Sequence, residues 1–326
     1  MVKLLIDTKG GDNGPAVMIN GACDALVRFE ELAVVLAGDE AVIRAECEKL
    51  EAPMERIEIL DAIGEITNYD NPAEALFHKT DSSMLKGLSA LGARDDIFGM
   101  ISAGNTAVLL TGAMRYASGA ERVRPALAAL LPTSDGGFCC LVDTGATIDC
   151  TPQMLVHFAR LGTEFMRLTY GIESPKVGLL SNGSEPTKGN KLVKETHPLL
   201  LEDEGLNFIG NVEGNTALSG ICDVLVCDGF AGNQVLKVTE GTATRIITDI
   251  MKYAYRESSD EIKMLGAHLM RVYDIGSLGG GVILGVKKPV IKTRGTAKEA
   301  TVVNTSEMLI NMASHKAVFD KSRNKI

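Results

Sequence analysis

The chain has 326 residues, with 42 acidic and 33 basic side chains and a formal net charge of −9. A content of 45% hydrophobic and 23% charged residues describes an ordinary folded protein and excludes disorder, collagen and coiled coil as whole-chain descriptions. A net negative chain without Lys/Arg blocks is also a poor general binder of nucleic acid, whose affinity arises mainly from basic side chains displacing phosphate counterions.

Met1 to Asp7 runs directly into a Gly-rich turn, with no basic segment, apolar core and cleavage site, so the expectation is a cytoplasmic protein. One phrase then recurs: a short apolar run rich in Val, Ile and Leu, a loop of Gly, Asn, Ser, Thr or Asp, and an amphipathic helical segment. Val2 to Asp7 precedes Lys9-Gly10-Gly11-Asp12, Leu32 to Ala37 precedes Gly38-Asp39, and Ile97 to Ile101 precedes Ser102-Ala103-Gly104-Asn105-Thr106. Ile97 to Met114 reaches membrane-spanning length without a charge, but its polar residues make it strand, loop and helix. Phe138 to Val142, Lys176 to Leu180 and Val224 to Cys227 continue the series, leading into the loops at Asp143, Ser181 and Asp228, and Pro289 to Thr293 closes it. Thr242 to Tyr273 reads as two helices with a polar joint at Glu257-Ser258-Ser259-Asp260, a pair projecting over 242–275. No Pro/Ser-rich linker divides the chain, so one α/β body over 1–326, in one or two lobes, is expected.

Such alternation predicts a mainly parallel sheet with helices on both faces. Each polar loop follows a strand's carboxyl end and precedes a helix amino end, which is the ligand edge of parallel sheets. Free backbone N–H groups, the positive end of the helix dipole and close approach at glycine make that edge a site for phosphate or carboxylate. Neither GxGxxG nor GxxxxGK[ST] occurs, and Gly183 to Gly189 resembles a phosphate loop with the wrong spacing.

The chemistry-bearing residues are scattered. The seven cysteines (Cys23, Cys47, Cys139, Cys140, Cys150, Cys222 and Cys227) form no CxxC pair and read as reduced core thiols, and no metal site is expected. The five histidines make no HExxH pair. Ser82 and Ser83 are either phosphate donors or polar positions on a helix beginning near Pro72, and Lys188 is either an anion-binding cation or a solvated lysine. Asp7, Asp143 and Asp228 each end an apolar run, where a carboxylate caps the next helix, holds a cation or polarises a reacting group. Asn105, Asn190, Asn211 and Asn233 add neutral donors in the same loops.

Those residues resemble the PlsX family of bacterial phosphate acyltransferases. The matching phrases run the length of the chain: Gly10-Gly11-Asp12 with Pro15, Asp81-Ser82-Ser83-Met84, Ser102 to Thr106, Arg124-Pro125-Ala126-Leu127, Asp143 with Gly145-Ala146, Lys188-Gly189-Asn190, Gly210 to Gly214, Asp228-Gly229-Phe230 with Gly232-Asn233, and Gly280-Gly281 with Leu284-Gly285. The departures are Asn13 and Arg294 where the family usually has His, Phe77 where Arg is common, and Thr147 where Asn is common.

The resemblance implies a three-layer αβα sandwich of the isopropylmalate dehydrogenase and phosphotransacetylase type. It also implies transfer of an acyl group from acyl carrier protein, or from acyl-CoA, to inorganic phosphate, in a homodimer touching the membrane surface weakly and using no cofactor. On that reading phosphate is held by Gly10, Gly11, Ser82, Ser83, Asn105, Thr106 and Lys188. Asn211 or Asn233 stabilises the thioester oxyanion, and Asp228 orients them. Acidic carrier protein would dock on Lys287, Lys288, Lys292 and Arg294, or on Arg245, Lys252, Arg256 and Arg271. The alternatives are a paralogue making acetyl phosphate, like the glycine reductase component C subunit, an NAD-dependent decarboxylating dehydrogenase, and a non-catalytic subunit that presents acyl carrier.

Overall fold

The computed structural model describes residues 1–117, 124–273 and 280–323, with side chains described up to 315. In chain order the first elements are β1 (Val2–Asp7), α1 (Pro15–Arg28), β2 (Leu32–Gly38), α2 (Glu40–Lys49), β3 (Ile57–Asp61), α3 (Pro72–His78), α4 (Ser83–Ala93), β4 (Gly99–Ser102) and α5 (Thr106–Tyr116). There follow β5 (Ala126–Pro132), β6 (Phe138–Val142), α6 (Pro152–Tyr170), β7 (Lys176–Ser181), α7 (Lys191–Leu201), β8 (Asn207–Glu213) and β9 (Val224–Val226). The last are α8 (Gly229–Arg256), α9 (Asp260–Tyr273), β10 (Gly281–Leu284), β11 (Val290–Lys292) and α10 (Glu299–Arg323).

Two compact units divide these elements. One comprises Met1–Leu127, Glu164–Glu173 and Gly279–Ile326, the other Ala128–Thr163 and Ser174–Leu278. In the first unit the strand order is β3-β2-β1-β4-β11-β10, parallel except for the β10–β11 pair. All seven residues of β2 are buried, as a strand covered on both faces requires. Consecutive residues of β4 show the two coverings: a methyl added at Gly99 would meet Leu309 of α10, whereas Met100 reaches Gly87 of α4. Leu5, Val35, Leu85, Leu88, Met100 and Leu109 lie in the core on the α4 and α5 face.

In the second unit the order is β5-β6-β9-β7-β8, parallel except for β5–β6. Val224 packs against Gly162 of α6, while its neighbour Leu225 joins Leu131, Cys139 and Cys227 under Ala231, Val235 and Leu236 of α8. The α/β class with a mainly parallel sheet and helices on both faces is therefore what the chain adopts.

Two boundaries differ from the sequence expectation. The segment starting at Pro72 ends at His78, and a new helix starts at Ser83 with Ser82 as its N-cap, so the two serines head a helix and are not interior to one. The helix expected from Thr242 begins at Gly229, thirteen residues earlier; Asp228 caps it, and Ala231, Val235 and Leu236 pay in buried area for a stretch rich in Gly and Thr. The joint at 257–259 is as expected, and residues 274–275 of the expected pair lie outside the described residues.

The thiols are free, and Cys150 alone is partly exposed. Burial pushes Cys23 up to about 12 and raises Cys140 and Cys227 as well. A thiol reagent applied to the native protein at neutral pH is expected to modify Cys150 well before the other six; peptide mass mapping that finds Cys139 or Cys227 modified equally fast contradicts this burial.

Candidate active site

In the first unit the parallel pairing of β1 with β4 and of β4 with β11 brings their carboxyl-end loops to one edge. The contact is tight: a Cβ on Gly10 would lie 2.5 Å from the Gly104 backbone nitrogen, so two glycine loops touch backbone to backbone. The third loop closes against them, with the Asp12 N–H donating to Gly295 O at 2.7 Å, Thr293 N–H to Ser102 O at 2.9 Å and Asn13 Nδ2 to Ala297 O at 3.0 Å. Asn13, standing where the family usually has His, thus ties loop to loop.

Beneath these loops lies Asp7, fully buried. Ser83 Oγ donates to its Oδ1 and Ser102 Oγ to its Oδ2, both at 2.6 Å, and the Lys9 N–H donates to Oδ1 at 3.3 Å. Burial pushes the Asp7 carboxyl above its ordinary range; the Ser102 and Ser83 hydroxyls, the Lys9 N–H and the Lys292 ammonium pull it down without cancelling the rise. Lys292 Nζ is itself held by Ala103 O at 3.2 Å and by Thr293 O. Since each serine has one O–H, already given to Asp7, Ser83 has only oxygen lone pairs left for a further contact, and Ser102 Oγ already accepts the Gly104 N–H at 3.1 Å.

Asn105 has all of its amide engaged. Its Oδ1 accepts from the Ala107 and Val108 N–H groups at 3.0 and 3.1 Å, capping α5, and its Nδ2 donates to Thr67 O at 3.1 Å and Asp70 O at 3.3 Å. Thr106 is exposed at the first turn of that helix. Ser82 Oγ accepts from the Leu85 N–H at 3.4 Å. Phe77 carries the Arg115 guanidinium 5.3 Å from its ring centroid, so α5 delivers a cation to the position where Arg is common in the family.

In the second unit β6, β9 and β7 are parallel neighbours, and their carboxyl-end loops gather in the same way. Asp143 is fully buried and takes three N–H groups of its own loop, from Gly145, Ala146 and Thr147, at 3.2, 3.1 and 2.7 Å. A Cβ on Gly232 would sit 1.9 Å from Asp143 O, which fixes glycine in the first turn of α8. Asp228 caps that helix through the Ala231 N–H at 2.9 Å, and Asn233 Nδ2 donates to Thr144 O at 3.2 Å.

Between the ends of β7 and β9 and the starts of α7 and α8 is a cavity of about 580 Å³. Ser181, Asn182, Gly189, Asn190, Cys227 and Asp228 line its polar side. Ser181 Oγ is shielded from solvent and makes no hydrogen bond. The loop above it is pinned twice, by the Gly189 N–H donating to Asn182 Oδ1 at 2.9 Å and by Asn211 Nδ2 donating to Glu185 O at 2.8 Å. Asn211 Oδ1 lies 3.0 Å from His197 Nδ1. Lys188 is exposed on this loop, its stem packed over Gly183.

Gly10, Gly11, Ser82, Ser83, Asn105 and Thr106 therefore belong to the first unit's loop cluster, and Lys188, Asn211, Asp228 and Asn233 to the second unit's. Within each unit the loops at the carboxyl ends of neighbouring parallel strands lie together. The asparagines and serines, however, mostly hold loops in place, and the Gly104, Gly145, Ala146, Thr147 and Gly189 N–H groups are engaged within the loops as well. Sequence reasoning missed Ser102 as a partner of Asp7, Lys292 as its neighbouring cation and His197 as the support of Asn211, since none of these pairings is local. Asn211→Ala is expected to cost about 1–2 kcal/mol by stranding His197 and freeing Glu185 O. Hydrogen exchange should then quicken over 182–190, and unchanged protection there would refute the pinning role.

A doubly wound α/β chain whose glycine loops and capped helix starts gather at the carboxyl edges is of the class that includes phosphotransacetylases. The phosphotransacetylase of Streptococcus pyogenes superposes with a TM-score of 0.67 at 17% identity over 96% of this chain and 94% of that one. EutD phosphotransacetylase of Staphylococcus aureus gives 0.64 at 18% over the same shares. At the level of sequence, the family model described as "Fatty acid synthesis protein" matches residues 2–318. The proteins named "Phosphate acyltransferase" from Thermoanaerobacter pseudethanolicus and Streptococcus pneumoniae are each 37% identical to this chain, covering 96% and 99% of it and 94% and 98% of themselves. The chain belongs to this fatty acid synthesis protein family, PlsX, and is an acyl-transferring enzyme. None of the three alternatives, the acetyl phosphate paralogue, the dehydrogenase or the non-catalytic subunit, is favoured.

Proposed function

We propose that the chain moves an acyl group from the thioester of acyl carrier protein to inorganic phosphate, forming acyl phosphate and free carrier thiol. A phosphate oxygen attacks the thioester carbon, the tetrahedral oxyanion collapses, and the C–S bond breaks with sulfur leaving as thiolate. A thiol with a pKa of about 8.5 departs readily, so positioning and charge stabilisation supply most of the rate. The observation that supports this reading best is the gathering of glycine loops and capped helix starts at the carboxyl edges of the parallel strands, where the helix dipoles favour an anion that is its own nucleophile. The buried thiols Cys139, Cys140 and Cys227, held protonated, offer no protein nucleophile in their place.

In this proposal the Gly10-Gly11 turn, Ser82, Ser83, Asn105 and Thr106 bind phosphate in the first unit, with Ser83 accepting a hydrogen bond from the phosphate's own hydroxyl and Asn105 acting by holding its loop, and Lys188 is the anion-binding cation of the second unit's loop. Asn233 and the N–H groups near it stabilise the oxyanion, Asn211 keeps the 182–190 loop in place, and Asp228 caps the helix that carries Asn233. Carrier protein docks on the basic residues of α8 and α9, because Lys288 and Lys292 are spent on backbone oxygens of Arg94, Ala103 and Thr293. Arg245 and Arg256 make exposed pairs with Asp249 and Glu257, and Arg256 also lies over the Tyr253 ring at 5.0 Å. Among the described residues no helix is long and apolar enough to cross a membrane, and we place the enzyme in the cytoplasm with peripheral membrane contact.

The test follows free thiol and hydroxylamine-trapped acyl phosphate from acyl carrier thioesters and short acyl-CoA thioesters, with and without phosphate. Phosphate-dependent thiol release with trapped acyl phosphate is the expected result; thiol release independent of phosphate would mean hydrolysis and would refute the reading. Exclusive use of acetyl donors would refute the carrier-protein donor and assign the chain to acetyl phosphate formation.

A further inference from the structure

The cavity between the starts of α7 and α8 has a volume of about 580 Å³, within the range of small-molecule sites. Leu155, Leu179, Val193 and Ala231 give it an apolar wall. Beside that wall stand polar groups with capacity to spare. Asn182 and Asn190 are exposed, and each spends its Oδ1 within the protein, on the Gly189 N–H and the Val193 N–H, both at 2.9 Å. Their Nδ2 groups remain as donors. Asp228 gives Oδ1 to the Ala231 N–H at 2.9 Å and keeps Oδ2 as an acceptor. Ser181 lines the cavity as well, and its Oγ, which nothing in the protein pairs, gains a partner if it turns about χ1 toward a ligand carbonyl. Among the described residues no Lys or Arg lines the cavity, and its one formal charge is the Asp228 carboxylate.

We propose that this cavity takes the pantetheine arm on which the thioester is delivered, and not orthophosphate. The proposal rests on the acyl-transfer reading and adds to it which part of the donor the second unit holds. A pantetheine arm is a narrow, uncharged chain of methylenes and a gem-dimethyl group interrupted by two amides. Its amide carbonyls match the Nδ2 donors of Asn182 and Asn190, an amide N–H matches Asp228 Oδ2, and its carbon segments match the wall of Leu155 and Val193. Orthophosphate matches none of this. It is small for the cavity, is anionic at neutral pH, and would meet a carboxylate with no cation in the lining, since Lys188 is exposed outside it.

Titration calorimetry of the full-length protein with pantetheine, which carries neither acyl group nor phosphate, tests the assignment. Saturable binding that orthophosphate does not displace is expected, together with slower hydrogen exchange over 182–193. The double variant Asn182→Asp/Asn190→Asp keeps both Oδ1 acceptors, and with them the loop bond and the α7 cap, while removing both donors. It is expected to retain the circular dichroism of the parent and to bind pantetheine at least tenfold more weakly. Holo carrier protein set against apo carrier protein, and CoA set against adenosine 3′,5′-bisphosphate, show which donor supplies the arm: the affinity that the arm adds is expected in the carrier pair and is expected to vanish in the double variant. No saturable binding, unchanged binding in the folded double variant, or displacement by orthophosphate would each overturn the proposal. Phosphate-dependent thiol release without pantetheine binding would overturn it and leave the acyl-transfer reading intact. Pantetheine binding without thiol release from any donor would strike that reading and still support the arm as the occupant of the cavity.

Discussion

Asn105→Ala is expected to destabilise the protein by about 3 kcal/mol and to raise the phosphate concentration needed for half-maximal turnover at least tenfold. Loss of an N-cap costs about 1–2 kcal/mol. Two carbonyls that the cap residue served, Thr67 O and Asp70 O, lose their donor, and each stranded group adds about 1 kcal/mol or more when kept from water. Asn105 is 9% exposed, so water replaces little of this. The effect on phosphate follows because the same amide ties the α5 start to the 67–70 segment, and the Gly104 loop that leads into α5 depends on that tie for its position. Asn105→Ser separates the contributions. It keeps an acceptor for the helix start but reaches neither carbonyl, so its stability should fall between those of parent and alanine variant. Its phosphate requirement should rise nearly as much as in alanine. Chemical denaturation and initial rates over a phosphate series measure both. A stable alanine variant with parental phosphate dependence would show that the amide is dispensable.

What was readable in the sequence was local. Val2 to Asp7 and Phe138 to Val142 are strands because continuous apolar runs bounded by Gly, Asp and Asn can be buried on both faces, and their loops declare themselves by glycine and capping residues. Asp228 could be read as a candidate cap from its place at the end of an apolar run. What escaped depends on pairing across the chain. Ser102 meets Asp7 only because β4 lies beside β1, and Asn211 spends its amide on Glu185 only because β8 lies beside β7. Neither alignment is written in the neighbouring residues. The start of α8 escaped for a related reason: Gly229, Gly232, Gly241 and the threonines argue against a helix locally, and the buried row under Ala231, Val235 and Leu236 overrides them. The candidate site residues were thus located by their loops, while their tasks, binding a ligand or holding a loop, follow only from which carbonyl the fold brings within reach.

Asp7→Asn is expected to raise stability at neutral pH by about 1–3 kcal/mol, with a pH dependence that identifies the cause. The carboxyl is fully buried and its pKa lies above the ordinary 3.8, burial outweighing the two serine hydroxyls, the Lys9 N–H and Lys292. A carboxyl raised on folding holds its proton in the native state at a pH where the unfolded chain has released it. Its contribution to stability is therefore fully present below the unfolded value and is lost as pH rises through the folded one. Asparagine removes that loss while keeping the hydrogen bonds, since Oδ1 accepts from one serine and Nδ2 donates to the other, whose hydroxyl is then free to turn outward. The gain over the parent should be near zero below pH 3.8 and grow as pH rises to the native pKa of Asp7, then level off. Activity should move the opposite way. Freed from the carboxylate, one serine turns its O–H toward the ligand and the fixed lone-pair presentation is lost, so turnover is expected to fall about tenfold or more while the fold becomes more robust. Thermal denaturation at a series of pH values, set beside rates at saturating phosphate, measures both arms. An Asp7→Asn protein less stable than the parent at neutral pH would mean that the serine and lysine partners outweigh the cost of burying the charge.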